Sequence, residues 1–208
     1  MFTKLLNLEP KRREAIINAA LKEFGAKGYD DASTNVIAKE AGISKGLMFH
    51  YVNNKKDFFL FLHDYTLAII KEKYFDLVDY DEKDIFERLR QTYLLKVKVM
   101  QQYPLIFEFI KVAISTESDA VKKELDERRK KTENASFNKF YGDIDVSKFR
   151  EGLDVEKCRQ LIFWAVGGYA NQIQAVSEIE INEVDFEKIR VEFDSYLDEL
   201  RKSFYNEK

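Results

Sequence analysis

The sequence has little of what interrupts helices or builds covalent sites. Its 208 residues include two prolines, eight glycines and one cysteine. Because so few residues break helices or populate turns, the composition favours a mostly helical protein. A single thiol, Cys158, excludes an internal disulfide and a cysteine-based metal cluster, so the chain fits a reducing compartment.

Histidine is almost as scarce, and this bears on metal and catalytic chemistry. His50 and His63 are the two histidines, and neither has a second histidine or a cysteine at ligand spacing. We therefore expect no metal site, no cofactor and no catalytic residues. The sequence also lacks a GxSxG or P-loop motif. An enzyme hidden in the aromatic part of the chain is the alternative, which turnover of a bound compound would reveal.

Long hydrophobic runs are missing too. The apolar residues after Met1 give way to Glu9, Lys11 and Arg12, and no uninterrupted apolar stretch reaches the length of a membrane span. We therefore expect a soluble, cytoplasmic protein without a signal peptide or a membrane partner.

The net charge of −3 is divided unevenly along the chain. Residues 1–56 hold ten lysines or arginines against six acidic residues, whereas the remainder holds 24 against 31. A basic N-terminal segment attached to an acidic body suits phosphate attraction with little indiscriminate binding. A chance scatter of solvated charges is the alternative.

Apolar residues recur at helical spacing throughout, and no segment alternates as a strand would. The pattern predicts a first helix from Pro10 to Lys27 ending at Gly25 and Gly28, and a second capped by Ser33 or Thr34. Later helices are predicted at Ser44 to Tyr51, Asn54 to about Leu77, Asp84 to Met100, Pro104 to Ile114, Ser118 to Phe140, Val155 to Val176 and Val184 to Phe204.

Residues 33–58, STNVIAKEAGISKGLMFHYVNNKKDF, have the pattern of a helix-turn-helix. Gly42 and Ile43 alone separate two short helices, which must therefore cross steeply. On a helical wheel, Lys45, Gly46, Phe49 and His50 share one side of the second helix. A cation, a bare backbone, an aromatic ring and an imidazole suit close approach to a major groove. A helical hairpin that binds nothing is the alternative.

This segment resembles the tetracycline-repressor (TetR) family of bacterial regulators. The resemblance rests on AALKEFGAKGYDDAS, then IAKEAGISKG, FHY and NNKKDF at fixed spacing, over roughly the first 60 residues. It implies that the following positions face DNA, with the last at a phosphate: Thr34, Ser44, Lys45, Gly46, Phe49, His50, Tyr51 and Lys55.

Two positions depart from the family pattern. Position 47 is often polar or small in the family and is Leu47 here, and position 49 is commonly tyrosine and is Phe49 here. Because Phe49 has no hydroxyl group, we expect it to make apolar contact with a sugar or a thymine methyl group. The operator sequence therefore stays open.

The remainder of the chain is rich in aromatic residues on different helices. Aromatic side chains usually form core, but pockets between bundle helices commonly hold ligands. The resemblance implies an effector cavity in this region, for which an apolar or amphipathic molecule is our hypothesis. The candidate pocket residues are Tyr65, Tyr93, Tyr103, Phe107 and Trp164.

The last two helices carry apolar residues at spacings of three and four, with small residues that permit close packing. They predict a dimer interface, since two copies of the second helix of the helix-turn-helix would double the contacts on a palindromic DNA site. Ordinary core helices are the alternative. The candidate interface residues are Leu161, Ala165, Tyr169, Ile189, Phe193, Tyr196 and Leu200.

Together these patterns predict an all-α protein: a three-helix DNA-binding domain at residues 1–56, then a helical ligand-binding and dimerisation bundle at residues 57–208. The expected function is a ligand-responsive homodimeric regulator, a repressor by resemblance, that binds palindromic double-stranded operator DNA and is released by a small molecule. A small-molecule-binding bundle whose head does not act on DNA is the alternative, and the salt dependence of DNA binding separates the two.

Overall fold

The computed structural model describes residues 2–176 and 185–206, and the side chains of all of these except 131–139 and 173–176. This part of the chain is all-α, as predicted, with no β-strand and one isolated antiparallel bridge between Phe149 and Tyr205. The helices are α1 Thr3–Leu6, α2 Pro10–Asp31, α3 Thr34–Glu40, α4 Lys45–Val52, α5 Lys55–Lys73, α6 Ile85–Gln102, α7 Pro104–Ser115, α8 Lys122–Tyr141, α9 Val155–Val176 and α10 Phe186–Phe204, with 3₁₀ turns at Phe75–Leu77 and Val146–Lys148.

The chain divides into two compact units that do not follow its order. The head unit comprises residues 1–73 and 103–132, and the body unit comprises residues 74–102 and 133–208. Helix α7 and the beginning of α8 therefore belong with the N-terminal helices. The functional boundary that the sequence places between residues 56 and 57 stays a prediction.

The head unit is built around four interlocking phenylalanines. The Phe59 ring lies with its centroid 5.0 Å from those of both Phe24 and Phe109, and Phe58 meets Phe24 edge-on. Phe24 belongs to α2, Phe59 to α5 and Phe109 to α7, so the cluster joins three helices. Aromatic pairs in this geometry add to the stabilisation from buried area. The packing fixes α2 as a rigid support for the two short helices that follow it.

The body unit has its own hydrophobic core and a buried cation beside it. The core unites α6, α9 and α10 through buried residues that include Ile85, Ile162 and Leu197. Next to it, Arg88 is 1% exposed and donates hydrogen bonds to five main-chain carbonyl oxygens. Since a buried ionic group is costly unless its hydrogen bonds are made, these carbonyl groups keep the arginine inside the unit.

The structure differs from the sequence predictions at three places. Helix α2 continues past Gly25 to Asp31 and is interrupted at Gly28, whose φ of +73° suits a residue without a Cβ. The helix predicted from Asn54 to about Leu77 ends at Lys73, because Tyr74 leaves helical geometry. Helix α1 was not predicted, since four residues are too few for a recognisable period. None of the described helices is long and apolar enough to span a bilayer.

Candidate nucleic-acid interface

A tight turn sets the angle between α3 and α4. Gly42 adopts a φ of +68°, a left-handed conformation that a side chain disfavours. The main-chain N–H of Ile43 donates to the carbonyl of Ala38, which closes the turn. Ile37 and Ala38 are buried beneath it. The sequence prediction of a helix, a glycine turn and a second short helix is met at these residues.

Helix α4 begins where the sequence places its cap. The Ser44 hydroxyl oxygen accepts a hydrogen bond of 3.2 Å from the Leu47 main-chain N–H, which satisfies one of the free donors of the first turn. Met48 and Val52 are fully buried on one side of the helix. Their burial turns the opposite side of α4 outward.

The outward side of α4 carries the residues expected to face DNA. Lys45, Gly46 and His50 are exposed, whereas Phe49 and Tyr51 are half-buried. The Lys45 ammonium lies 5.9 Å from the centroid of the Phe49 ring, and the His50 ring meets Tyr51 edge-on at 5.7 Å. A mobile cation over an aromatic ring can move to a phosphate at little cost, because an exposed contact of this kind is worth about 0.5–1 kcal/mol.

An asparagine pair fixes the corner between α4 and α5. Asn53 has a φ of +66° and a ψ of −71°, and the Asn54 main-chain N–H donates to the Val52 carbonyl at 2.9 Å, so the chain makes a tight three-residue turn here. The Asn54 side-chain oxygen accepts a 2.8 Å hydrogen bond from the Asp57 N–H, and the Asp57 carboxylate accepts from both asparagine amides. This capping arrangement explains the NNKKD motif as the device that ends one helix and begins the next.

Two of the residues expected at DNA lie in more enclosed settings. Thr34 is half-buried at the first position of α3, after Ser33, whose side chain makes no capping bond. Lys55 donates to the Asp30 carbonyl at 2.9 Å, and its ammonium lies 4.9 Å from the centroid of the Tyr29 ring. In this conformation Lys55 joins the end of α2 to the start of α5, and a phosphate contact remains a prediction.

Helix α1 adds a support for the head that the sequence pattern did not predict. It contacts α4, and Leu5 is fully buried. The Phe2 ring stacks on Phe61 of α5 at 4.3 Å, and an Arg13 guanidinium N–H donates to the Leu6 carbonyl at 2.8 Å. The signal available in the sequence was the pair Phe2 and Leu5, which share one face of a single helical turn. Three separate contacts, one each with α2, α4 and α5, thus hold α1 in place.

The predicted pocket residues fall in both units. Tyr65, Tyr103 and Phe107 are half-buried in the head unit, where Tyr65 stacks on Phe61 at 5.8 Å. Tyr93 and Trp164 belong to the body unit. Tyr93 packs against Phe193 with ring centroids 4.8 Å apart, but Trp164 is 61% exposed. Within the described residues, no group of three or more histidine, cysteine or acidic side chains could hold a metal ion.

The predicted interface residues divide between an exposed face and a buried one. Leu161, Ala165 and Tyr196 are exposed, whereas Phe193 is buried in the body unit's own core. Tyr169, Ile189 and Leu200 are half-buried, and the Tyr169 hydroxyl donates to the Ile189 carbonyl at 3.2 Å. Other large apolar side chains that α9 and α10 expose are Phe163, Trp164 and Val191.

The helix-turn-helix segment matches a known family of proteins. The sequence profile described as bacterial regulatory proteins, tetR family, matches residues 16–61, which contain α3, the turn and α4. This segment is therefore similar to the TetR family. The chain is 28% identical over 157 residues to the fatty acid metabolism regulator protein of Bacillus subtilis, covering 73% of this chain and 77% of that protein.

Solved structures share the whole fold. A TetR family transcriptional regulator from Chloroflexus aurantiacus superposes with a TM-score of 0.72 at 19% identity, covering 98% of each chain. The fatty acid degradation regulator FadR from Bacillus halodurans gives a TM-score of 0.60 at 18% identity, covering 91% of this chain and 95% of its own. These structural likenesses show the fold, and the relatives described above are regulators and not enzymes.

Proposed function

We propose that the chain is a homodimeric repressor that inserts α4 into the major groove of a palindromic operator and leaves the DNA when a small amphipathic molecule binds. The observation that carries the proposal is the outward side of α4, where Lys45, Gly46 and His50 are exposed on a helix held by the Ser44 cap and by buried Met48. A rigid short helix with a bare glycine backbone and a cation suits base-edge and phosphate contacts.

The dimer is supported by apolar side chains that α9 and α10 leave in solvent. Leu161, Trp164, Val191 and Tyr196 are each about half exposed or more, at 47%, 61%, 58% and 50%. Single exposed apolar residues are ordinary, but several on two packed helices suggest a protein interface. A two-fold dimer would present two α4 helices to successive major grooves, about 34 Å apart.

The class of effector is suggested by relatives. The Bacillus subtilis relative is named for fatty acid metabolism and the Bacillus halodurans structure for fatty acid degradation. We propose that this chain also responds to a fatty acid or to a derivative of one. Such a molecule joins an apolar chain to a charged head group, which agrees with the amphipathic effector expected from the sequence.

The DNA assignment is tested by charge reversal on the reader helix. Lys45→Glu should abolish operator binding in a gel-shift assay, while circular dichroism and sedimentation stay unchanged, because Lys45 is exposed and supports no core contact. Lys98→Glu makes the same change at an exposed position on α6 and serves as the control. It should bind operator as the wild type does.

Salt dependence gives a second, quantitative test. Removing one phosphate contact should reduce the slope of log K against log salt concentration by about 0.9, so Lys45→Ala should reduce it by about 1.8 in a dimer with two heads. A slope that does not change would show that Lys45 lies away from phosphate. If the operator affinity of the wild type did not change with salt concentration, the result would instead favour a bundle that does not act on DNA.

A further inference from the structure

The reader helix α4 has a basic neighbour within the head unit. Helix α1 packs beside α4, and Cα atoms of the two helices come within 8 Å of each other. Lys4 is exposed on α1, next to the fully buried Leu5. Lys11 and Arg12 are exposed in the first turn of α2, which a short connection separates from α1. We call Lys4, Lys11 and Arg12 the N-terminal basic surface.

The corner between α1 and α2 has a defined geometry. The Arg13 guanidinium group turns toward α1 and donates to the Leu6 carbonyl at 2.8 Å. Successive residues of a helix are about 100° apart, so Lys11 and Arg12 project from other sides of α2 than Arg13 does. The Phe2 ring, stacked on Phe61 at 4.3 Å, holds the beginning of α1 against α5. The three cations are thus presented by anchored helices and not by a free tail.

These cations are not neutralised within the described part of the chain. Among the side chains that the structure describes, none of the three has an ion-pair or hydrogen-bond partner, and the first turn of α2 contains no acidic residue. The positive end of the helix dipole makes cations unfavourable in a first turn. Lys22, further along α2, instead pairs with Glu40. The placement of the three charges therefore suits an anionic partner outside the chain.

The position beside α4 indicates which anion this is. The major groove of B-DNA is about 12 Å wide, and an α-helix with its side chains is about 10–12 Å in diameter, so a reader helix fills the groove. An element packed beside α4 then lies over a phosphate backbone that borders the groove. Because phosphates follow one another along both strands, each cation can meet a different one, and the three side chains need not converge.

We propose that the N-terminal basic surface is a second DNA contact, which binds the phosphates that border the groove entered by α4. The inference rests on the proposed function, since it takes α4 as the reader helix. The donors are the side-chain cations of Lys4, Lys11 and Arg12, and contacts to phosphate carry no sequence information. The surface therefore adds affinity for every DNA sequence alike, whereas the outward side of α4 supplies the selection.

The test is fluorescence anisotropy on two labelled duplexes of about 30 base pairs, which are long enough for two heads about 34 Å apart. One duplex has a random sequence, and the other is selected from a random library by the wild-type protein. Removing one phosphate contact lowers the slope of log K against log salt concentration by about 0.9. Lys4→Gln, Lys11→Gln and Arg12→Gln combined in one triple variant should therefore lower the slope by about 5 in a dimer.

The triple variant should also show which kind of contact was lost. Its affinity at about 0.1 M salt should fall at least about tenfold on both duplexes, because the lost attraction is electrostatic. The ratio between the two affinities should stay within about threefold of the wild-type ratio, since phosphate contacts do not distinguish sequences.

Single variants and a control in the body unit separate contact from net charge. Lys4→Gln, Lys11→Gln and Arg12→Gln should each lower the slope by about 1.8 in a dimer. Lys98→Gln removes the same charge from an exposed position on α6 and should leave the slope unchanged, since salt screens charges that lie away from the DNA. All four positions are exposed, so circular dichroism and sedimentation should match the wild type.

The outcomes decide the basic surface and the reader helix separately. An unchanged slope in the triple variant would overturn the second contact, and so would a loss confined to the selected duplex, because that pattern belongs to base recognition. Binding to phosphatidylglycerol vesicles that needs these cations, with no change on either duplex, would assign the surface to a membrane and also overturn the proposal. If Lys45→Glu left the selected duplex bound while the triple variant lost slope on both duplexes, the reader assignment would fail and the basic surface would stand.

Discussion

Replacing Arg88 by methionine would remove the guanidinium group that organises one end of the body unit. Its three nitrogens donate to main-chain carbonyl oxygens at 2.5 to 3.2 Å, and no carboxylate of the described residues pairs with it. Methionine keeps most of the aliphatic length but donates nothing. The carbonyl groups left without a donor would be those of Tyr80, Glu82, Phe140, Gly142 and Asp143.

The expected cost follows from burial. A buried acceptor left unsatisfied costs about 1–3 kcal/mol, but some of the five carbonyl groups would relax toward water, so the costs do not add fully. Removal of Arg88 leaves no unpaired charge behind, so the unsatisfied carbonyl groups set the cost, of which two or three are expected to stay away from water. We therefore expect Arg88→Met to lower the free energy of unfolding by about 3–5 kcal/mol. For a chain of this size the midpoint of thermal unfolding should fall by roughly 6–20 °C.

Arg90→Met is the matched control. Arg90 lies on the same helix and also makes several hydrogen bonds, but its partners are the carboxylates of Glu87, Asp194 and Asp198, and its side chain is 27% exposed. Those carboxylates can return to water, so its removal should cost about 1 kcal/mol or less. Urea unfolding followed by circular dichroism compares the two variants. Equal losses of stability would refute the reasoning from burial and carbonyl satisfaction.

Three further predictions concern the head, the interface and the pH dependence. Ser44→Ala should cost about 1 kcal/mol in chemical unfolding and weaken operator binding, because the cap of α4 is lost, whereas Ser44→Asn should restore both. Trp164→Glu should convert a dimer to a monomer in sedimentation velocity, while Leu77→Glu, at a position of similar exposure, should not; an intact Trp164→Glu dimer would contradict the interface. Burial raises the pKa of the Asp84 carboxyl group. Hydrogen bonds from Lys148 and the Glu87 N–H, with the charge of Arg201, outweigh burial and hold this pKa below its ordinary 3.8. The stability that Asp84 contributes is thus present at neutral pH and lost as pH falls below about 4. The difference in urea midpoint between the wild type and Asp84→Asn should therefore be full at pH 8 and should narrow below about pH 4.

The reader segment was predictable because its determinants are local. A turn glycine, the Ser44 cap and the Asn54 and Asp57 pair each act within four residues, so the sequence can be read without knowing the rest of the fold. The amphipathic pattern of α4 likewise places Met48 inside and Lys45 outside from periodicity alone. The TetR family resemblance rests on these same residues.

The surroundings of individual cations were not predictable. The sequence places Lys55 at the start of α5, but the carbonyl of Asp30 and the ring of Tyr29 that contact it lie 25 and 26 residues earlier. Lys96 looks like any charged residue of a helix until the burial of its neighbour Thr92 on α6 is known. Spacing along one helix cannot reveal which other chain segments cover it.

By itself, the sequence determined that the chain is all-α, where most of its helices lie, and that residues 33–58 form a helix-turn-helix, because propensity, caps and turns act over a few residues. Tertiary structure alone decided that residues 103–132 join the N-terminal helices and that Arg88 is buried among carbonyl groups. These outcomes depend on contacts between distant residues, such as those from Arg88 to carbonyl groups 52 to 55 positions later in the chain. The free energy that selects such contacts comes from apolar surface that is removed from water only when the helices pack together.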